Sequence, residues 1–267
     1  MAIVIGATRG IGSQIAITLS TSYHVIIAGR STPSSPSSQY GGDIQYVAEA
    51  IKAKGGTATP IQCDVRKVGD IENLVRRSEE LGAVEVVVYN AGAISWGSVK
   101  DAPLKRFDLL QEVNIRGLYA VIQMQLPHFL KRNRGKFIVV SPPIYSRFFR
   151  GKTPYAIGKV GMTVLTQGLS LELSPTNISI TSLWPATAIE SAVTTHQNIA
   201  PKFLRKPSIF ADAVLKIATF PDASKLNGLA LIDEDFLREW CGVVDFERYR
   251  VGGYMACLVK GRRCTHL

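Results

Sequence analysis

The sequence predicts a single α/β domain, doubly wound, with a mainly parallel sheet of about seven strands and helices on both faces. Short apolar runs alternate along the chain with segments of ten or more residues patterned at the helical period. The runs are continuously apolar rather than alternating, as in strands buried on both faces. The first run passes through a glycine-rich turn directly into a helical pattern, which is the order of a βαβ unit.

The chain opens with the strand "AIVI" (2–5), turns through "GATRGIG" and continues as the amphipathic "SQIAITL" (13–19). Further strands are expected at "YHVIIAG" (23–29), "TATPIQC" (57–63), "VEVVVYN" (84–90), "KFIVVS" (136–141), "NISITSLW" (177–184) and "GLALID" (228–233). The Ser- and Pro-rich stretch 31–43 reads as a loop after the second strand. No internal repeat is present. Residues 1–241 are read as one dinucleotide-binding domain and 242–267 as a C-terminal surface tail without clear periodicity.

A length of 267 residues with 46% hydrophobic residues suits one large core rather than two domains. No apolar run approaches the roughly 20 residues needed to span a bilayer, and the start "MAIVIGATRG" lacks a signal-peptide pattern, so a cytoplasmic location is expected. The final "THL" faintly resembles a peroxisomal address with a poor first residue. Cys63, Cys241, Cys257 and Cys264 form no CxxC and no metal spacing with histidine, which reads as reduced thiols without zinc. The net charge of +10 is spread along the chain, with modest clusters at 202–206 and 260–263 and no aromatic-interleaved basic stripe. It reads as a solvated surface rather than a nucleic-acid site.

In "IGATRGIG", Gly6, Gly10 and Gly12 stand between a strand and a helix. Such a turn lets backbone approach a pyrophosphate, and the helix that follows aims free N–H groups at it. Charge after the second strand separates the nicotinamide cofactors: a carboxylate suits the ribose of NAD, an arginine the 2'-phosphate of NADP. Here the strand ends in Arg30, and Arg9 lies inside the glycine turn, so NADP(H) is the expected cofactor. Asp64 in "QCDV" is placed either to accept from the adenine amino group or to cap the next helix.

With Gly6-Ala-Thr-Arg-Gly10-Ile-Gly12, Cys63-Asp64-Val65, Tyr89-Asn90-Ala91-Gly92, Asn114 in "VNIRG" and Tyr155-Ala-Ile-Gly-Lys159, residues 2–235 resemble the short-chain dehydrogenase/reductase family, which has a Rossmann-type fold. The words "VVSPPI", "SLWPATAI" and "LALIDEDFL" further resemble its hydroxysteroid dehydrogenase-like branch, some members of which carry a sterol-carrier domain not expected here. The resemblance implies a cofactor lying on Gly6, Thr8, Arg9, Gly10, Ile11 and Gly12, passing Arg30, Asp64, Asn90, Ala91 and Gly92, touching Tyr155 and Lys159, and closed over by Pro185 and Ile189. Asn114 is implied to bend its helix and hold a water in a proton relay, and Asn90 to buttress the nucleotide site. The chain departs from the family at Ile5, in place of Thr, and at Tyr89, in place of the first Asn of Asn-Asn-Ala-Gly. "WPATAIES" leaves Ser191 standing for a Thr, and "IDED" replaces Asp-Gly-Gly.

Carbonyl reduction needs a hydride and a proton for the developing alkoxide. In "TPYAIGK", Thr153 is expected as N-cap and Pro154 as the first helical residue, and a spacing of four sets Tyr155 and Lys159 on one face. The ammonium is expected to stabilise the tyrosinate, lowering a phenol pKa near 10. Glycines 158, 161 and 168 weaken this helix unless another helix packs closely there. The family often dimerises through it, so a homodimer or homotetramer is expected.

The carbonyl-polarising serine of the family falls at Pro142, with Ser141 just before it. Either Ser141 takes the role through an altered loop, or the substrate oxygen is held by Tyr155 and a water or backbone N–H. The expected pocket mouth is apolar (Ile94, Trp96, Ile144, Tyr145, Phe148, Phe149, Trp184, Val193), which suits a small lipid-like ketone, aldehyde or alcohol or else serves core and dimer contacts. Two functions follow from this: an NADP-dependent oxidoreductase, or an NADPH-binding sensor or ligand carrier impaired at the Ser141-Pro142 loop.

Overall fold

The structure is a computed structural model that describes residues 1–33, 42–145 and 149–252. The loop residues 34–41, Phe148 and the segment 253–267, which holds Cys257, Cys264, the 260–263 cluster and "THL", lie outside the described residues.

The chain runs β1 (Ala2–Ile5), α1 (Gly10–Leu19), β2 (Val25–Gly29), α2 (Ile44–Lys52), β3 (Ala58–Gln62), α3 (Val68–Leu81), β4 (Val86–Tyr89) and α4 (Leu104–Gln111). A single π-helical turn (Glu112–Arg116) leads into α5 (Gly117–Arg132), β5 (Gly135–Val140), α6 (Thr153–Glu172) and β6 (Ile178–Trp184). The remainder is β7 (Ala188–Ile189), α7 (Ala192–His196), β8 (Leu204–Arg205), α8 (Pro207–Ala218), β9 (Ala230–Ile232) and α9 (Asp233–Glu239). Seven strands form one sheet in the order β3-β2-β1-β4-β5-β6-β9, and every pair is parallel. The order reverses between β1 and β4, so the crevice above their carboxyl ends is the switch point where a doubly wound sheet binds its ligand. Strands β7 and β8 pair with each other in a separate two-stranded sheet.

Every residue of β1, β2 and β4 is buried, which explains their unbroken apolar character. One core layer packs α1, α2 and α8 on the sheet through Ile15, Leu19, Val47, Ile51, Phe210 and Val214. The other packs α3, α5 and α6 through Ile71, Leu74, Phe129, Met162 and Leu169.

The segment after Gly242, expected as a surface tail, feeds Phe246 and Tyr249 into the first layer. Tyr249 donates to Asp212 of α8 at 2.7 Å, and its carbonyl accepts from the Lys206 N–H at 2.7 Å. Val243 packs against the same layer.

Thr153 is the first residue of α6 rather than its cap. Lys152 stands at the cap, and the Thr153 hydroxyl donates back to the Phe149 carbonyl at 3.4 Å instead of accepting from the helix. Of the three α6 glycines, Gly158 faces Gln111 and Asn114, Gly161 faces Ile115, and a Cβ at Gly168 would meet nothing within 4 Å. Close helix packing within this chain therefore accounts for the first two.

Candidate active site

The glycine turn is built by exclusion. Gly6 has φ of +84°, and a Cβ there would come within 2.7 Å of the Ala91 backbone; a Cβ at Gly12 would strike the Gly6 carbonyl oxygen and Asn90 Nδ2. Asn90 Nδ2 donates to that carbonyl at 2.9 Å, and its N–H donates to the Ile5 carbonyl at 3.0 Å, tying the ends of β1 and β4 together. Gly10 has φ of +55°, and Arg9 precedes α1 as an extended cap residue. A helix start leaves its first amide groups without partners inside the helix.

A cleft of about 680 Å³ opens above these residues. It is walled by Gly6, Thr8 and Arg9 from the turn, Arg30 after β2, Asp64 after β3, and Asn90, Ala91 and Gly92 after β4. Gly10, Ile11 and Gly12 are not among the residues that line it, and the Ile11 side chain packs against the core.

Asp64 does not cap α3, whose cap residue is Lys67 without a side-chain bond. Its carboxylate instead takes the Arg66 N–H at 3.1 Å and the Arg66 guanidinium at 2.5 Å. Burial pushes Asp64 up, but the Arg66 hydrogen bonds and charge, with Arg30 behind them, hold it below the usual carboxylate range. Cys63 also borders the cleft, and burial pushes its thiol up to about 12, so it stays protonated.

Tyr155 and Lys159 adjoin one end of the cleft. Tyr155 packs with Ala93, Ile94 and Trp184, and its ring centre is 6.3 Å from that of Trp96. Lys159 is 4% exposed; its Nζ donates to the Val140 carbonyl at 2.7 Å and lies 5.6 Å from the Trp184 ring centre. A Cβ built on Gly92 would stand 3.6 Å from Lys159 Nζ and 3.5 Å from Asn114 Oδ1, so these groups meet behind the Gly92 wall. Asn114 is fully buried, accepts from the Ala93 N–H at 2.9 Å and donates to the Ala93 carbonyl at 3.1 Å. Asn114 lies within the π-turn, and its side-chain amide is engaged by Ala93.

The phenol differs from expectation in direction. Burial pushes Tyr155 above its ordinary value and brings Lys159 down to about 7. Desolvation is the cause for both groups, which sit almost wholly out of water. Between about 7 and the ordinary 10.5, unfolded chain holds a Lys159 proton that folded chain does not, so this group makes stability rise with pH. Lys159→Met is therefore expected to be stabilising relative to the parent at pH 6, with the difference shrinking by pH 9, as read from urea midpoints.

Ser141 is fully buried, and its Oγ is 2.9 Å from the Thr163 hydroxyl on α6. Thr163 is also 2.6 Å from the Pro142 carbonyl, which has no proton to give. The single Thr163 proton therefore goes to Pro142, and the Ser141 proton goes to Thr163.

Pro185 follows β6, and the next N–H, of Ala186, donates to Asp233 at 2.8 Å. Burial pushes Asp233 up to about 6, with the Ala186 and Glu234 N–H groups offsetting part of the rise. The Ile189 side chain is buried in the core. Ser191 caps α7 through a reciprocal bond with Thr194, and a Cβ on Gly10 would lie 3.9 Å from Ser191 Cβ, so α7 stands over the glycine turn. From α7 and its end, His196 and Gln197 line the cleft beside Val193, and Arg106 lines it from α4. His196, Gln197 and Arg106 were not expected from the sequence, which holds no local motif around them.

A parallel sheet with a glycine-built crevice at its switch point and a buried Tyr/Lys pair at the crevice's end defines a dinucleotide-dependent oxidoreductase class. The short chain dehydrogenase family model matches residues 1–200, and the chain belongs to that family. Within it the chain is similar to hydroxysteroid dehydrogenase-like proteins. It is 34% identical over 254 residues to hydroxysteroid dehydrogenase-like protein 2 of Danio rerio and 32% identical over 255 residues to that of Homo sapiens. These alignments cover 93% of this chain but only 60% and 59% of those relatives. Among solved structures, a short chain dehydrogenase of Mycobacterium thermoresistibile superposes with a TM-score of 0.84 at 34% identity, covering 93% of this chain and 89% of that one. Actinorhodin polyketide ketoreductase with NADPH superposes with a TM-score of 0.76 at 25% identity, covering 86% and 94%.

Proposed function

We propose that the protein is an NADP-dependent oxidoreductase that interconverts an apolar, lipid-like ketone or aldehyde and its alcohol. The observation that carries this reading is one cleft with Arg9 and Arg30 at its walls and the Tyr155/Lys159 pair against its end. The residues fit a nicotinamide dinucleotide: Gly6, Gly10 and Gly12 leave room for a pyrophosphate, and the two guanidinium groups suit a 2'-phosphate. The NADPH carried by the ketoreductase neighbour agrees with that choice.

A nicotinamide dinucleotide held by these residues would supply the hydride. Tyr155 gives its proton to the developing alkoxide, a base far stronger than phenolate, so a raised phenol pKa still leaves it a competent donor. Lys159, near its midpoint at neutral pH, offsets the phenolate charge as its ammonium and takes part in returning the proton, beside Asn114. With the Ser141 proton given to Thr163, the substrate oxygen is held by Tyr155 together with a water or backbone N–H. Trp96, Ile144 and Tyr145 are each about half exposed, and an apolar substrate would cover them.

The buried Ser141 also favours a second reading, an NADPH sensor or ligand carrier with impaired chemistry. A panel of ketones and aldehydes with NADPH, followed at the nicotinamide absorbance, separates the two: turnover supports the oxidoreductase, and binding without turnover supports the sensor. For the cofactor, Arg30→Asp is expected to weaken NADPH binding at least tenfold and leave NADH nearly unchanged. Tighter binding of NADH than NADPH by the parent would sink the role given to Arg9 and Arg30.

Exposed Ile157, Val164 and Leu171 lie on one stripe of α6 and suit a homodimer or homotetramer; a monomeric mass by light scattering would count against it.

A further inference from the structure

We infer that Tyr89 is a positioning residue: its phenol clamps the π-turn that sets Asn114 beside Lys159. Tyr89 ends β4, paired with Ile5 of β1 and Val139 of β5, at the centre of the sheet. It is 1% exposed, and its hydroxyl donates to the Val113 backbone carbonyl at 2.6 Å. Val113 is the second residue of the Glu112–Arg116 turn, and Asn114 is the third.

The turn is wound with one residue too many: the Gly117 N–H reaches back five residues, to the Glu112 carbonyl. Such a turn disturbs the regular ladder, and a carbonyl within it gains from a donor outside the helix. Tyr89 is that donor, fixed by a rigid strand. Burial pushes the phenol well above its ordinary value, so it remains protonated and donating at any physiological pH.

Gly117 completes the device. A Cβ there would collide with the Tyr89 hydroxyl and come within 3.1 Å of Val65, so a bare helix position is required where the phenol enters. While Tyr89 at the end of β4 holds the preceding residue, Asn114 is thus tied by both backbone groups of Ala93 to the segment that follows that strand. Its displacement by even part of a turn would move it from the Gly92 wall behind which Lys159 Nζ sits. The chain's departure from the family at Tyr89 is then matched by Gly117 and acts on the relay.

The catalytic half of this inference rests on the oxidoreductase reading; the placement of the turn does not. The test uses the full chain with Tyr89→Phe and the double variant Tyr89→Phe/Gly117→Ser. Phenylalanine keeps the core volume and removes one donor. A serine at 117 can return a donor to the Val113 carbonyl by bonding four residues back along the helix.

Tyr89→Phe is expected to lower kcat roughly tenfold with NADPH affinity within about twofold, and to speed amide hydrogen exchange at 112–118 roughly tenfold. The double variant is expected to recover most of both. Unchanged exchange at 112–118 in Tyr89→Phe would overturn the inference, as would kcat and NADPH affinity falling together, which marks a general core defect. If the parent turns over no substrate, the oxidoreductase reading fails, while the exchange comparison still decides whether Tyr89 holds the turn.

Discussion

Tyr155→Phe is expected to lower kcat by about a thousandfold while leaving NADPH binding within about twofold. The phenylalanine keeps the ring that packs against Ala93, Ile94 and Trp184 and stands 6.3 Å from Trp96, so neither the core nor the cleft wall is disturbed. What is lost is the proton that, on the oxidoreductase reading, follows a hydride onto the substrate carbonyl. Lys159 cannot replace it directly, because its Nζ is turned to the Val140 carbonyl behind the Gly92 wall. Ser141→Ala is the informative contrast. Its hydroxyl is buried and spends its proton on Thr163, so the substitution is expected to change kcat by less than about threefold, against the hundredfold or more lost with a true oxyanion donor. A Tyr155→Phe enzyme with more than a tenth of parental turnover would remove the phenol from the mechanism. A hundredfold loss in Ser141→Ala would restore the serine to it.

The strands and the glycine turn were legible because both are local. Apolar runs such as "VVVY" announce a doubly covered strand without reference to anything distant, and the Gly6-Gly10-Gly12 spacing describes one turn of backbone. Tyr155 and Lys159 were legible for the same reason, being one helical turn apart. The fate of Ser141 was not, because it depends on Thr163, 22 residues on, whose hydroxyl is brought beneath the Pro142 loop only by the docking of α6. The direction of the Tyr155 shift was likewise hidden: a helical spacing gives the ammonium as a neighbour but says nothing of how completely the sheet, Leu110 and Trp184 exclude water. His196, Gln197 and Arg106 reach the cleft from α7 and α4, elements whose own sequences carry no sign of which face turns inward. Phe246 and Tyr249 were lost in a polar stretch, since two aromatics without a period announce burial only once α8 is in place to receive them.

Gly12→Ala is expected to raise the dissociation constant for NADPH at least a hundredfold and to lower stability by about 3 kcal/mol. The added methyl would overlap the Gly6 carbonyl oxygen and Asn90 Nδ2, so it must break the 2.9 Å bond between them or push β1 from β4. Neither adjustment is cheap. Gly6 is already held at φ of +84° against the Ala91 backbone, and Asn90 is anchored through its own N–H to Ile5. Any retreat of the Gly6 carbonyl also tilts the first turn of α1 and the amides that a pyrophosphate would use. The same substitution at Gly69 supplies the control, because a Cβ there meets nothing within 4 Å and the position is exposed in the first turn of α3. Gly69→Ala is expected to stabilise by about 0.5–1 kcal/mol and to leave NADPH binding unchanged. Measured side by side by urea denaturation and cofactor titration, the two alanines should therefore move stability in opposite directions and only one should touch the cofactor. If Gly12→Ala bound NADPH as tightly as the parent, the glycine turn would not be the pyrophosphate site, and the cleft would need another polarity.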